Sequence, residues 1–141
     1  MGRDVLDRLV LDGGERVLDA GCGTGRVTAA LLERLPSGEV VAVDGSPAMI
    51  AEARATLPSE RVDLRVVDLL GLEIEPPVDA ILSTATFHWI GDHDRLFARL
   101  HAALAPGGRL VAQCGGEGNV AAVRRAIGRV GHRALADWPG P

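Results

Sequence analysis

Three glycines at alternate positions, Gly21, Gly23 and Gly25, follow an apolar run at residues 16–20 that predicts a short buried strand. Glycine lets the backbone approach a ligand closely and adopt positive φ angles. The next acidic residue that ends an apolar run is Asp44. It lies about 20 residues further on, where a carboxylate can accept hydrogen bonds from both hydroxyls of a ribose. This spacing is typical of a nucleotide-binding turn.

The glycine spacing argues against a site built around phosphate groups. The dinucleotide fingerprint G-x-G-x-x-G requires glycine at position 26, where this chain has Arg26. The phosphate loop G-x-x-x-x-G-K-[ST] is also absent, and the chain contains no lysine. The turn is therefore predicted to bind a nucleoside that carries no phosphates.

Segments with strand character alternate with helical segments along the chain, which predicts a doubly wound α/β fold with a mostly parallel sheet. In such a sheet, ligands bind outside the carboxyl ends of the strands. The expected strands are 16–20, 39–43, 61–67, 78–83 and 109–114. The expected helices are 3–10, one that stops before Pro36, one opened by Ser46 and Pro47, 92–105, and a last one marked by Val120, Val123, Ile127 and Val130.

Two of these elements have distinctive boundaries or faces. Apolar and charged residues alternate over 61–67, which predicts an edge strand with one face in water. The sequence Pro106-Gly107-Gly108 is expected to end the helix at 92–105.

Three motifs occur in order, LDAGCGTG, then VVAVDGSPAMI, then LAPGGRL, and together they span most of the chain. In this combination the sequence resembles the class I S-adenosylmethionine (SAM)-dependent methyltransferases, of the small-molecule type related to trans-aconitate methyltransferase. The resemblance implies a Rossmann-like sheet in the order 3-2-1-4-5 and a single SAM-binding domain over residues 1–141. It also implies SAM as cofactor, S-adenosylhomocysteine (SAH) as product and no metal. The expected reaction is transfer of a methyl group to a small-molecule acceptor by in-line displacement.

The chain departs from the resembled family at its end. That family has two more strands, whereas the residues after Cys114 provide only one predicted helix and a tail. We therefore expect a partial domain that lacks its last two strands, either as a fragment of a longer enzyme or as a minimal domain. An unpaired edge on strand five would favour association, so a homodimer that covers this edge is a second expectation.

The resemblance assigns cofactor-binding roles to residues at the strand ends. Asp44 is expected to hold the ribose, and Asp19 to orient the glycine turn or the methionine ammonium, unless it only caps a helix. Asp68 and the amide of Leu69 are expected to meet the adenine, unless Asp68 is an ordinary turn acid. Met49 is expected either to pack on the adenine or to be a core methionine. The full predicted set is Asp19, Gly21, Cys22, Gly23, Gly25, Asp44, Gly45, Ser46, Met49, Asp68, Leu69, Ser83 and Thr84.

The tripeptide Phe87-His88-Trp89 follows strand four at the expected mouth of the pocket and resembles the His-Trp element of the same enzymes. His88 is the candidate catalytic residue, because an imidazole titrates near neutrality and can act as a base or contact the substrate. The alternative is a histidine that only packs or caps. Trp89 is expected to contact substrate as a pocket wall or lid. Ser83 and Thr84 are expected to face the methyl group.

Composition limits the partners and the location of the protein. The net charge of −4 argues against nucleic acid, and no apolar run approaches the ~20 residues that span a bilayer. Cys22 and Cys114 lack C-x-x-C spacing, which favours two reduced thiols in a cytoplasmic protein over a zinc or redox site. The expected partner is a small-molecule methyl acceptor.

Two other functions stay open at this point. A nicotinamide-dependent oxidoreductase would share the ribose-binding acid, but the chain has neither the third fingerprint glycine nor any tyrosine or lysine for a Tyr-x-x-x-Lys pair. A non-catalytic SAM-binding module would explain the two absent strands.

Overall fold

A computed structural model describes residues 2–58 and 60–113 of the 141-residue chain. These residues form a five-stranded sheet in the order β3-β2-β1-β4-β5, and every neighbouring pair of strands is parallel. The predicted α/β class and the predicted strand order are confirmed. The strands are β1 (Arg16–Ala20), β2 (Glu39–Asp44), β3 (Val62–Val66), β4 (Val78–Thr84) and β5 (Leu104–Gln113).

Four helices and two short 3-10 turns cover the sheet. The 3-10 turns are Leu69–Gly71 and Phe87–Trp89, and both lie in connections that follow a strand. The helices are α1 (Gly2–Arg8), α2 (Arg26–Glu33), α3 (Pro47–Thr56) and α4 (His93–Ala103). Within the described residues, none of these helices combines the length and the apolar character that crossing a bilayer requires.

The sheet separates two apolar cores, because successive side chains along a strand point to opposite faces. Val17 belongs to a core that it shares with Leu6, Leu31 and Ile50 from α1, α2 and α3. Its neighbour Leu18 belongs to the other core, which contains the apolar side chains of α4 and of the two 3-10 turns. Since both faces are covered, β1 and β2 are buried along most of their length.

Local capping fixes where two of the helices begin. The Ser46 hydroxyl accepts a hydrogen bond from the Met49 amide at 3.3 Å, and Pro47 occupies the first turn of α3, as the sequence predicts. The Asp92 carboxylate accepts from the Arg95 amide at 3.0 Å and caps α4.

The boundary between α4 and β5 differs from the prediction. Leu104 is already extended, with φ −82° and ψ 136°, so α4 ends earlier than residue 105. The reason is that a residue before proline, here Ala105, disfavours helical backbone. The Pro-Gly-Gly segment lies inside β5 as an irregularity, where the pairing passes from Val78 opposite Leu104 to Ala80 opposite Arg109.

Within the described residues, β3 and β5 are the two edge strands of the sheet. β3 is an edge strand, as predicted, but the alternation fails at its end because Val66 is 49% exposed. Among the described residues, β5 pairs only with β4. Cys114, the predicted last helix and the expected absence of two further strands fall outside the described residues.

Replacing Phe97 with alanine is predicted to destabilise the fold by about 3–5 kcal/mol. Phe97 is completely buried and packs edge-on against Phe87, with ring centroids 5.4 Å apart and planes at 78°. The measurement is the free energy of unfolding in urea. Val10→Ala is the control, because Val10 is 65% exposed and its loss is expected to cost less than about 0.5 kcal/mol. Equal losses for the two variants would contradict the proposed core.

Candidate functional site

A cavity of about 710 Å³ opens at the carboxyl ends of β1, β2 and β4. This is the edge at which parallel sheets with alternating helices bind ligands. Most of the predicted site residues line it together, although they come from distant parts of the chain. The predicted residues that line the cavity are Gly21, Cys22, Gly23, Asp44, Gly45, Ser46, Met49, Asp68, Leu69, Thr84 and Trp89.

The glycine turn is tied to the end of β2 by its backbone. The amides of Gly21 and Cys22 both donate to the Val43 carbonyl, at 2.8 and 2.9 Å. Gly21, Gly23 and Gly25 all have positive φ, at 83°, 56° and 92°. The turn therefore uses the left-handed backbone that favours glycine at each of its three positions.

The three glycines leave space for different neighbours. A Cβ on Gly21 would lie 2.2 Å from the Thr86 hydroxyl oxygen, and one on Gly25 would lie 2.7 Å from a methyl of Leu57. A Cβ on Gly23 would meet no atom of the described residues within 4 Å. Gly21 and Gly25 thus allow close packing within the protein, and Gly25 does not line the cavity. Gly23 has open space beside it on the cavity side.

Asp44 is the acid that joins β2 to the glycine turn. One carboxylate oxygen accepts from the Gly23 amide at 2.9 Å, and the other accepts from the Ser46 amide at 2.8 Å. These two bonds fix the carboxylate at the cavity wall. Each oxygen retains acceptor capacity, since a carboxylate has about four lone-pair sites.

The opposite wall comes from the residues after β3 and from α3. The Asp68 carboxylate accepts from the Leu70 amide at 2.9 Å and caps the 3-10 turn that begins at Leu69. Asp68 is therefore a turn acid that also lines the cavity. Met49 is 41% exposed and lines the cavity as well, so it is not a core methionine.

Asp19 lies beneath the glycine turn and is completely buried, so it does not itself line the cavity. One carboxyl oxygen accepts from the Thr28 hydroxyl at 2.6 Å, and the other has no hydrogen-bond partner among the described residues. Burial raises the pKa of Asp19 to about 6, the Thr28 bond opposes this, and the nearby Asp44 charge adds to it. The site contains an acid whose charge is poorly satisfied by protein groups alone.

Cys22 lines the cavity but is a poor nucleophile. Burial raises the pKa of its thiol to about 12, and the charges of Asp19 and Asp44 act in the same direction. The thiol therefore stays protonated at neutral pH, and the thiolate is the reactive form. Within the described residues, no group of three or more His, Cys, Asp or Glu side chains is arranged to hold a metal ion.

The connection after β4 forms the third wall. Thr84 lines the cavity, whereas Ser83 is 1% exposed and donates to the Ala20 carbonyl at 2.7 Å. Ser83 holds β4 to β1 and does not face the cavity as predicted, because its side chain points into the sheet interior. Trp89 lines the cavity with 82% of its surface exposed. His88 belongs to the same 3-10 turn, but its side chain falls outside the described part of the structure.

Several residues that line the cavity are not among those predicted from the sequence. Ala85 has φ 52°, an uncommon value for a residue other than glycine, and it turns the chain so that Thr86 reaches Gly21. The proximity of these residues to the predicted motifs is the only sequence signal that could have found them. The lining residues that were not predicted are Thr24, Arg26, Val27, Val67, Ala85, Thr86 and Ile90.

The fold and the cavity at the strand ends are those of a Rossmann-like methyltransferase domain. A family model described as a methyltransferase domain matches residues 17–108. The matched segment contains the glycine turn, Asp44, Asp68 and the connection after β4. The chain belongs to this methyltransferase family.

Similar proteins share both the sequence and the fold. The chain is 38% identical to trans-aconitate 2-methyltransferase from Azoarcus sp. (strain BH72), over 99% of this chain and 51% of that protein. It superposes with a TM-score of 0.71 on an S-adenosylmethionine-dependent methyltransferase from Mesorhizobium loti, at 33% identity, covering 78% of this chain and 51% of the other.

A second solved structure contains SAM. CalS10, an amino pentose methyltransferase from Micromonospora echinaspora, is 32% identical with a TM-score of 0.71, over 82% of this chain and 50% of that one. The chain spans about half the length of the curated relatives it matches.

Replacing Gly21 with alanine is predicted to cost about 2–4 kcal/mol of stability, because the new Cβ meets Thr86 and the backbone has positive φ. Gly23→Ala is the matched control, with an expected cost of about 1 kcal/mol from backbone strain alone. Urea unfolding measures both. Adding Thr86→Gly to Gly21→Ala should recover part of the loss; equal costs for the two alanine variants would contradict the packing.

Asp19→Asn is predicted to stabilise the unliganded protein at pH 7.5 by about 2–3 kcal/mol and to leave it nearly unchanged at pH 4. Because the folded-state pKa is raised from 3.8 to about 6, the contribution of Asp19 to stability falls as pH rises between these values and stays low above them. Urea unfolding at the two pH values checks this.

Asp63→Asn is the control for this pH effect, because the contribution of Asp63 to stability should change with pH in the opposite direction. The Asp63 pKa is lowered, first by its hydrogen bond with Arg65, so its contribution is present above 3.8 and is lost as pH falls through the folded-state pKa. Asp63→Asn should therefore lose stability at pH 7.5. A stability difference for Asp19→Asn that does not change with pH would contradict its raised pKa.

Proposed function

We propose that this chain is the cofactor-binding part of a methyltransferase that transfers a methyl group from SAM to a small-molecule acceptor bearing carboxylates. The single observation that carries the proposal is the cavity at the strand ends, where Asp44 is fixed beside the open face of Gly23. Membership of the methyltransferase family favours SAM over a nicotinamide cofactor.

The residues of the site fit SAM in three respects. The Asp44 carboxylate is held and oriented at the cavity wall by two backbone amides and can accept from ribose hydroxyls. The unsatisfied oxygen of buried Asp19 favours a nearby cation, such as the ammonium of an amino-acid tail. Met49 offers an exposed apolar side chain to an aromatic base.

The remaining cofactor assignments rest on position in the same cavity. Asp68 and the Leu69 amide are proposed to meet the adenine, and Gly45 and Ser46 to flank the ribose. Gly21, Cys22 and Thr84 are proposed to border the amino-acid tail. Gly25 and Ser83 are proposed to act indirectly, by allowing the turn to pack and by joining β1 to β4.

Bound SAM supplies an activated methyl group on a positively charged sulfur, and the charge is lost when the methyl group is transferred. The protein's own contribution is then to orient the acceptor and to exclude water. The apolar and aromatic side chains of Met49, Trp89 and Ile90 along the cavity suit the exclusion of water. The protonated thiol of Cys22 is consistent with transfer that involves no covalent intermediate with the protein.

The name of the relatives supports a carboxylate acceptor. Trans-aconitate 2-methyltransferases are 38–41% identical to this chain, and aconitate is a carboxylic acid. An ionised carboxylate needs no base before it accepts a methyl group. His88 and Trp89 are therefore proposed to contact the acceptor, and a role of His88 as a base is proposed only for an acceptor that must lose a proton.

The remaining proposals concern the whole protein. Because the chain covers about half of its curated relatives, we propose that its activity depends on further strands, or on a second copy that covers β5. A cytoplasmic location without a nucleic-acid or membrane partner is part of the same proposal. Without the further elements, the chain alone would be a SAM-binding module. A turnover assay with trans-aconitate distinguishes an active chain from such a module.

Replacing Asp44 with alanine is predicted to weaken SAH binding by about 100-fold, since charge-assisted bonds to two ribose hydroxyls are lost. Isothermal titration calorimetry measures the Kd. Asp63→Ala is the control, because Asp63 is an exposed acid on β3 outside the cavity. A change below about threefold for Asp44→Ala would remove the ribose assignment. SAH, and not NAD, should raise the Tm of the unaltered chain.

A further inference from the structure

Arg26 lies in the cavity at the position where a dinucleotide-binding turn would have its third glycine. It is the first residue of α2, its side chain is exposed, and it lines the same cavity as Asp44 and Asp68. Among the residues that the structure describes, it is the only basic residue that lines this cavity. Among the described residues, the cavity is therefore lined by one basic side chain and two acidic ones.

Arg26 also differs from most arginines in the described part of the chain in having no internal partner. Arg8 is the only other arginine with a described side chain that lacks a hydrogen bond or ion pair, and it does not line the cavity. The partnered arginines bond to carboxylates or backbone carbonyls; they are Arg16, Arg34, Arg54, Arg61, Arg65, Arg95, Arg99 and Arg109. Within the part of the chain that the structure describes, no hydrogen bond or ion pair holds the guanidinium of Arg26 to the fold.

Backbone amides, and not Arg26, hold the two acids that line the cavity. Asp44 accepts from the amides of Gly23 and Ser46, and Asp68 accepts from the amide of Leu70. Neither forms an ion pair with Arg26 within the described residues. A guanidinium that lines a cavity without an internal counter-ion is suited to an anionic ligand group, and its planar fork matches a carboxylate with two parallel hydrogen bonds.

We propose that Arg26 is the carboxylate-binding side chain of this cavity. The proposal rests on the proposed function, because that function brings two carboxylates to the site: the one on the amino-acid tail of the cofactor and those of the acceptor. Both present the same planar anion to the guanidinium. Arg26 then fixes the orientation of one ligand, and this role explains why the turn carries arginine at a position where a phosphate site carries glycine.

The test compares Arg26→Gln with Arg8→Gln by calorimetry on the full 141-residue chain. If Arg26 binds the cofactor carboxylate, Arg26→Gln weakens SAH binding about tenfold, and binding of decarboxylated SAH is the same in both variants. If it binds the acceptor carboxylate, SAH binding is unchanged, and binding of trans-aconitate to the SAH-loaded protein weakens about tenfold. Arg26→Lys should restore part of either loss.

A salt titration separates a charge contact from a structural effect. The Kd of the affected ligand should rise with NaCl more steeply for the unaltered chain than for Arg26→Gln, because salt screens an exposed ion pair. Arg26→Gln should keep the Tm of the unaltered chain. If Arg26→Gln and Arg8→Gln bind both ligands equally, the Arg26 proposal is overturned while the proposed function stands. If the unaltered chain fails to bind SAH, the proposed function fails and the Arg26 proposal fails with it.

Discussion

The edge of the sheet where the cavity opens depends on the hydrogen bonds that join the glycine turn to the end of β2. The amides of Gly21 and Cys22 donate to the Val43 carbonyl, and the Gly23 amide donates to the Asp44 carboxylate. Each of these bonds connects residues that are about 20 positions apart in sequence, so they form only when β1 and β2 pair. Once formed, they place an acid and a stretch of exposed backbone side by side, which is the arrangement that a nucleoside requires.

Two acids, Asp19 and Asp44, lie beside this turn, and the described residues do not supply hydrogen bonds to every carboxylate oxygen. Asp19 has one hydrogen-bonded oxygen and one without a described partner, and Asp44 lies close enough to affect its pKa. A buried carboxylate of this kind costs stability in the unliganded protein, and a cationic ligand group relieves that cost. Asp19 therefore makes the stability of the unliganded protein depend on pH.

Most of the fold could be predicted because its signals are local. The continuous apolar run of β2, the Ser46-Pro47 start of α3 and the glycine turn each depend on neighbouring residues alone. The predicted end of α4 is too late because the apolar pattern continues to Leu104. That pattern does not show that Pro106 disfavours a helical backbone at Ala105. The exposure of Val66 could not be predicted, because an alternating pattern does not show which other elements pack on the end of a strand.

The sequence by itself determined the order of the elements, the glycine turn and the acids at the strand ends, since each depends on residue type and short spacing. Only the tertiary structure decided which of these residues share a cavity. It placed Thr86 against Gly21, turned Ser83 into the sheet and left Arg26 in the cavity without a partner among the described residues. The physical reason is that strand pairing and side-chain packing between distant segments fix these positions, and no local pattern encodes the distance between them.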